Sequence, residues 1–336
     1  MCLQVDYINH FLRLDLGLIP SYTLFDMNFK SIFRFIRPHT SQAYRPVILI
    51  TGAASGLGLA MARMFSKFEG YRVVITAREK SLVKLRKHFI ESDSVMVHQL
   101  DVTTDESRQK LISAVEKKWG GVDILINNAG ISYRAVVEHM TDKDELIQLQ
   151  TNYLGPMALI RLVLPRMREK GRGKVINVSS VSGMLAMPTM GSYSASKYAL
   201  EGASESLWYE MRPLGITVSL IQPGFIKSSS FQNVYYSDRS QPQFANQGPY
   251  SDYYAAMTPF VQKLMNRSIV TPTQIAKKIL KVIQTENPPL WIPVTPDAYV
   301  FYYLRRLLPR RYLLPILFFF LPKASSWGQN YTKRRL

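Results

Sequence analysis

Cysteine is nearly absent from this chain of 336 residues, where Cys2 is the single example. An intrachain disulfide is therefore impossible, and so is a metal site built from clustered thiolates. The five histidines are scattered. His98 falls in a strand-like run and His88 in a surface-helix pattern, so no metal site is expected. No uninterrupted apolar run reaches the roughly 20 residues that a helix needs to cross a bilayer. Internal repeats and low-complexity linkers are absent too. Acidic residues are scarce, 24 against 42 Lys and Arg, giving a net charge of +18. The deficit is terminal: residues 299–336 carry eight Lys or Arg and residues 28–45 four, with no Asp or Glu in either stretch. Phe, Tyr, Leu and Ile lie between those charges. That mixture suits an anionic membrane surface better than nucleic acid, so no nucleic-acid partner is expected.

What is there reads as one folded α/β unit. Hydrophobic residues make up 47% of the chain and charged residues 20%, enough for a sizeable core. Short β-branched runs near Val47, Val73, Val95, Ile124, Val175, Val218 and Leu290 alternate with helix-length segments. This pattern predicts a doubly wound parallel sheet. The organisation expected is an N-terminal extension over 1–45, basic and aromatic from 28, a catalytic domain over 46–298, and a basic, hydrophobic tail over 299–336.

The first strand, Val47-Ile48-Leu49-Ile50, runs into Thr51-Gly52-Ala53-Ala54-Ser55-Gly56-Leu57-Gly58 and then into a helical pattern. Glycines in such a turn let the backbone come close to a pyrophosphate, whose charge is met by free amides and the positive end of the helix.

Further along, Tyr193 is followed four residues later by Lys197, and Ser180 precedes Tyr193 by thirteen. A spacing of four puts phenol and ammonium on one helix face, where the positive charge favours ionisation of the phenol. A tyrosine so tuned can give a proton to a carbonyl oxygen or take one from an alcohol.

Together with Asp101-Val102, Asn127-Asn128-Ala129-Gly130, Asn152, Ser179-Ser180 and Pro223-Gly224, these motifs resemble the short-chain dehydrogenase/reductase family from about residue 46 to about 293. In character the chain is most similar to its membrane-associated steroid, retinoid and lipid members. The resemblance implies a Rossmann sheet of order 3-2-1-4-5-6-7 and an oxidoreductase that interconverts a carbonyl and an alcohol by hydride transfer. Tyr193 would be the acid or base, and Ser180 would hold the carbonyl oxygen. Lys197 would lower the tyrosine pKa and bind the nicotinamide ribose, while Asn152 would hold a water behind it. Ser179 competes with Ser180, though the spacing to Tyr193 favours the latter. The implied cofactor contacts are Gly52, Ser55, Gly56, Leu57, Gly58, Asp101, Val102, Asn128, Ala129, Gly130, Tyr193, Lys197, Pro223, Gly224 and Ile226, with Ser228 where the family often has threonine.

Cofactor choice turns on the end of the second strand. Ala77 stands where NAD-preferring relatives usually carry an acid, and Arg78 follows. A guanidinium there would bind a 2′-phosphate, so NADP(H) is favoured over NAD(H). Glu79 beside it could partly neutralise it, and Ser55 supplies no charge at the other usual basic position. The tyrosine-rich stretch over 225–269 favours a hydrophobic substrate. Alternatives are an NAD-dependent alcohol dehydrogenase of the same fold, a catalytically silent nucleotide-binding membrane adaptor, and a sugar-nucleotide epimerase. The last usually shows a different glycine spacing and a longer C-terminal domain.

The tail contains Tyr312-Leu313-Leu314-Pro315-Ile316-Leu317-Phe318-Phe319-Phe320-Leu321, flanked by Arg305, Arg306, Arg310, Arg311 and Lys323. It is too short and too interrupted by proline for a regular span. Shallow insertion, with peripheral or monotopic membrane association, is the preferred expectation. Packing on the domain or on an oligomer partner is the alternative. The N-terminal stretch lacks a long apolar core after a basic start, so no cleavable secretory signal is expected. Met27 is a second candidate start. The catalytic domain is expected in a reducing compartment, on the cytoplasmic side.

Overall fold

Short aliphatic runs form the strands because most of their side chains are buried, in β1 and β4 all of them. The computed structural model describes residues 44–227, 234–241 and 248–329. In chain order the elements are β1 (Val47–Ile50), α1 (Gly56–Phe65), β2 (Arg72–Ala77), α2 (Glu79–His88), β3 (Val95–Gln99), α3 (Asp105–Trp119) and β4 (Ile124–Asn127). Then come α4 (Asp142–Leu149), a π-helical turn (Gln150–Leu154), α5 (Gly155–Glu169), β5 (Gly173–Val178), a single 3₁₀ turn (Val181–Gly183) and α6 (Gly191–Met211). The chain continues through β6 (Ile216–Gln222), α7 (Ser251–Arg267), α8 (Pro272–Gln284), β7 (Trp291–Pro293), α9 (Pro296–Leu307) and α10 (Arg310–Phe320).

The strands pair in parallel in the order β3-β2-β1-β4-β5-β6-β7, as expected. Alternate residues of β1 serve opposite layers. Ile48 and Ile50 join Met61 and Phe65 of α1 and Ile275 and Ile279 of α8, while Val47 and Leu49 join Leu111 of α3 and Leu159 of α5. Each such fully buried aliphatic side chain contributes roughly 1.5–3 kcal/mol. Strand order reverses between β1 and β4, which opens a crevice beyond their carboxyl ends.

Helix ends follow local chemistry. Thr271 caps α8 and Pro272 takes its first turn; Thr271 Oγ1 accepts from Gln274 N–H at 3.3 Å while Gln274 Oε1 accepts from Thr271 N–H at 2.8 Å. Gly120 ends α3 in the left-handed region at φ 77°. Helix α9 begins inside the expected catalytic domain and runs past residue 299 without a break. Pro315 is accommodated inside α10. Among the described residues, no helix is long and apolar enough to cross a membrane.

Candidate active site

The glycine-rich turn between β1 and α1 is built on positive φ angles. Gly52 has φ 68° and Gly56 φ 53°, values that favour glycine. A Cβ on Gly52 would come within 2.8 Å of Ala129 Cα, and one on Gly58 within 2.3 Å of the Gly52 oxygen. Over Gly56 the corresponding direction is open space. Asn128 fastens the turn from β4: its Nδ2 donates to the Thr51 oxygen at 2.9 Å and to the Gly52 oxygen at 3.1 Å. Thr51 Oγ1 accepts from the backbone N–H groups of Asn128 and Ala129, both at 2.9 Å. Ser55 is exposed at the N-cap of α1 and makes no side-chain cap bond. Leu57 packs on the core beneath. An open crest at a helix N-terminus, free of acidic residues in its first turn, fits a dinucleotide pyrophosphate.

The other expected cofactor contacts lie along the carboxyl ends of the strands. Arg78 follows β2, exposed, and its Nη2 donates to the Tyr235 hydroxyl at 3.3 Å. Asp101 follows β3 and accepts from Thr103 N–H at 2.9 Å and Thr103 Oγ1–H at 2.7 Å. Val102 is buried beside it, and its carbonyl accepts from Arg108 at 2.7 Å. Gly130 faces Asn152 and Lys197, whose Oδ1 and Nζ a Cβ would meet at 3.2 and 3.9 Å. After β6, the Pro223 carbonyl accepts from Val181 N–H at 2.8 Å, Gly224 N–H donates to Thr295 Oγ1 at 2.8 Å, and Ile226 packs on the core. Ser228 lies outside the described residues.

The catalytic candidates converge beyond β5. Ser180 caps the turn Val181–Gly183, its Oγ accepting from Ser182 N–H at 3.1 Å, and it lies within hydrogen-bonding reach of the Tyr193 phenol. Ser179 points elsewhere and donates to Glu201 at 2.6 Å. Of the two serine candidates, Ser180 is the one beside the Tyr193 phenol. Asn152 is buried in the π turn, where its Oδ1 accepts from Ile131 N–H and its Nδ2 donates to the Ile131 carbonyl, both at 2.9 Å, and to Ser196 Oγ at 3.0 Å. A π turn widens the helix locally, which aims this side chain inward. Ser196 Oγ in turn donates to the Tyr193 carbonyl at 2.7 Å.

The electrostatics differ from the simple tyrosine–lysine pairing. Lys197 is buried and its Nζ donates to the Val178 carbonyl at 2.9 Å. Desolvation brings its pKa down to about 8, although Glu201 opposes the shift. Burial pushes the Tyr193 phenol up, while the Ser180 hydrogen bond and the positive charge of Arg134 pull it down. Arg134 was missed by the motif reading. It follows Gly130 by four residues, on a segment pinned from both sides. Arg134 N–H donates to the Tyr235 carbonyl at 2.9 Å and Ala135 N–H to the Thr189 carbonyl at 3.0 Å. Its basic side chain just after the Asn-Asn-Ala-Gly motif was the available signal.

Several tyrosines of the 225–269 stretch join α7 to the 131–139 segment. Tyr254 accepts from Val136 N–H at 3.0 Å and meets His139 Nδ1 at 2.9 Å, and Tyr250 donates to Glu138 at 2.5 Å. Tyr133 and Tyr235 face each other with centroids 5.5 Å apart, beside Arg134.

Comparisons with known proteins agree with this geometry. A family profile for short chain dehydrogenase matches residues 46–239. The 3-ketodihydrosphingosine reductase of Bacteroides thetaiotaomicron is 34% identical over 257 residues, 76% of this chain and 90% of that protein. Dehydrogenase/reductase SDR family member 7B of Mus musculus is 36% identical over 220 residues, 63% of this chain and 68% of its own length. A short-chain dehydrogenase structure from Streptomyces avermitilis superposes with TM-score 0.65 at 31% identity, covering 77% of this chain and 92% of that one. A Burkholderia phymatum short-chain dehydrogenase/reductase in complex with NAD gives TM-score 0.65 at 24% identity, over 79% and 95% of the two chains, a likeness of fold alone. A match this extensive, over the domain that carries the glycine turn and Tyr193, means that the chain belongs to the short-chain dehydrogenase/reductase family of nicotinamide-dependent oxidoreductases.

Proposed function

We propose that this protein is an NADP(H)-dependent oxidoreductase that interconverts a carbonyl and a secondary or primary alcohol on a hydrophobic substrate. The observation that carries the reading is the meeting of the Ser180 hydroxyl and the Tyr193 phenol. Ser180 already accepts from Ser182 N–H, which leaves its own proton to donate to a substrate oxygen. Tyr193 gives that oxygen its proton in reduction and removes it in oxidation. Lys197 and the Asn152–Ser196 chain stand behind the phenol as polar, hydrogen-bonded support. Gly52, Gly56, Gly58, Asn128 and the segment at Gly224 would hold the dinucleotide, which when bound supplies or receives the hydride.

Arg78 favours NADP(H), because it is exposed at the end of β2 with Ala77 and no acid before it. A hydrophobic ketone is supported by the name of the 34% identical relative, a 3-ketodihydrosphingosine reductase. The tail contributes a second element of the reading: peripheral attachment to an anionic bilayer. Leu314, Ile316, Phe318, Phe319 and Phe320 of α10 are exposed, Phe319 to 82%, next to the exposed Arg310 and Arg311. Apolar side chains beside arginines complement acyl chains beneath anionic headgroups.

The deciding experiment is turnover of a panel of long-chain and short ketones by the purified protein, with NADPH and NADH in parallel. Consumption of NADPH with a hydrophobic ketone is expected. Equal or better use of NADH would overturn the cofactor assignment, and no turnover of any ketone or alcohol would favour a silent nucleotide-binding protein.

A further inference from the structure

Helix α9 is fastened to the active site at both ends. At its start, the Asp297 carboxylate accepts from Phe225 N–H at 2.9 Å, next to the Thr295 bond to Gly224. Along its length, Ala298, Phe301 and Tyr302 pack on Val181 and Met184. Near its end, Arg305 Nη1 donates to the Met184 carbonyl, to the Gly183 carbonyl at 3.4 Å and to the Tyr198 hydroxyl at 2.9 Å. The guanidinium also lies 4.9 Å from the Tyr198 ring centroid. Tyr198 in turn donates to the Met184 carbonyl at 2.7 Å.

Gly183 and Met184 close the one-turn helix that Ser180 opens, their N–H groups donating to the Ser180 and Val181 carbonyls at 2.9 and 3.0 Å. Tyr198 is the residue after Lys197. Arg305 therefore meets, through one side chain, the turn that orients Ser180 and the helix that carries Tyr193 and Lys197. It is turned inward and partly buried, unlike Arg310 and Arg311. Gly183 adds to the tightness of this joint, since a Cβ there would lie 2.3 Å from Glu201 Oε1. Glu201 also accepts from Ser179 and Gln222. Beyond Arg305 the chain passes directly into α10.

We infer that Arg305 is a positioning residue that holds the turn after Ser180 in register with Tyr193, and that through it the active site senses whether the C-terminal helices are seated on an anionic bilayer. The inference rests on the proposed oxidoreductase reading and on the membrane-facing role of α10. It goes beyond both, because attachment and catalysis become coupled rather than separate properties. No new chemistry is required. The guanidinium fixes two carbonyls whose displacement would move the Ser180 hydroxyl, and small displacements at a reacting centre cost large factors in rate.

The test uses the full chain as wild type, Arg305→Gln and Arg305→Lys, with and without vesicles of phosphatidylcholine and phosphatidylserine. A water-soluble ketone is the substrate. Arg305→Gln should lower kcat by about tenfold while the KM for ketone and the Kd for NADPH change less than about twofold, and Arg305→Lys should recover part of the loss. Wild-type kcat should rise on adding vesicles, and the rise should vanish in Arg305→Gln. A wild-type kcat in Arg305→Gln, or an undiminished vesicle response, overturns the inference. If Arg305→Gln does not fold, amide hydrogen exchange of residues 181–185 in the wild type decides. Vesicles should slow it, and an unchanged rate overturns the inference. Because exchange is read without turnover, failure of the oxidoreductase reading, seen as no ketone consumption by the wild type, remains distinguishable.

Discussion

The ammonium of Lys197 donates to the Val178 carbonyl at 2.9 Å and stands 5.9 Å from the ring centroid of Tyr193. Its first partner is thus the end of β5, the strand that leads to Ser180. Lys197 ties α6 to that strand, and its Nζ lies near Gly130. Its pKa of about 8 makes it a charged group held at a cost.

That cost has a pH signature. The unfolded lysine titrates near 10.5 and the folded one near 8. Below pH 8 both states keep the proton, and the folded chain bears the whole desolvation penalty. Between 8 and 10.5 the folded chain loses the proton first, so stability rises with pH across that window. Lys197→Met should therefore be inactive yet more stable than wild type at pH 7, by on the order of 1–3 kcal/mol, with the gap closing towards pH 10. Urea unfolding at the two pH values measures it. A Met variant less stable at pH 7 would show that the Val178 bond outweighs the penalty.

Arg134 is predicted to govern the alkaline limb of the reaction. Its charge lowers the pKa of the Tyr193 phenol against the upward pull of burial. Removing it in Arg134→Gln should raise that pKa further. Since reduction needs the protonated phenol, its loss at high pH should shift to higher pH. Alcohol oxidation, which needs the phenolate, should slow at any fixed pH below that limb. pH–rate profiles in both directions provide the check, and unshifted limbs would mean that Arg134 is not felt at the reacting phenol.

Tyr193→Phe keeps the ring and removes the transferable proton. Turnover should fall by on the order of 10²-fold or more, with NADPH binding nearly unchanged. Steady-state kinetics beside a fluorescence titration would separate these quantities. Near-normal turnover would reassign the acid.

Ala77→Asp with Arg78→Ile should move preference towards NADH. A charged contact to a 2′-phosphate contributes roughly 1.5–3 kcal/mol, so its loss should weaken NADPH by about 10- to 150-fold. The ratio of kcat/KM for the two cofactors is the readout. An unchanged ratio would leave Arg78 as a surface residue that bonds Tyr235 and nothing more.

Deleting residues 310–336 should release much of the protein from phosphatidylserine vesicles. It also removes Trp327, whose ring sits 4.6 Å from that of Tyr253 on α7, so a modest loss of stability should accompany release. Arg310→Gln with Arg311→Gln should weaken binding chiefly at low salt, at about 1 kcal/mol per residue. Arg305 does not belong in that set, because it faces the protein. Co-sedimentation gives the answer, and a full-length chain that ignores vesicles would make the α10 face a packing surface.

Much of this architecture was legible in the residues alone. Val47–Ile50 and its counterparts announce buried parallel strands because both faces must be apolar, and the glycines at 52, 56 and 58 announce a tight turn before a helix. Tyr193 and Lys197 are one helical turn apart, so their place on one face of α6 follows from local geometry. The Arg134 and Arg305 roles were not legible. Arg305 reaches Met184 across 121 residues of sequence, and Arg134 reaches Tyr193 only because separate loops bond to its flanks. Periodicity carries no information about such contacts. The direction of Lys197 was hidden for a related reason: helical spacing fixes which face a side chain occupies, not which atom its charge finds.

The π turn at Gln150–Leu154 sets a rotational phase. A π turn holds one residue more than an α turn, so the helix that leaves it as α5 is advanced by one position relative to α4. Deleting one residue there would restore a continuous α-helix in which α4 and α5 keep their phase, but the widened turn would be lost. Asn152 would then swing away from Ile131 and Ser196, although Leu159 and Val163 would stay in the core. The chain cannot satisfy both with a regular helix, so length at this point is as constrained as residue identity. Insertions and deletions should be tolerated in the loops on either side and rejected here.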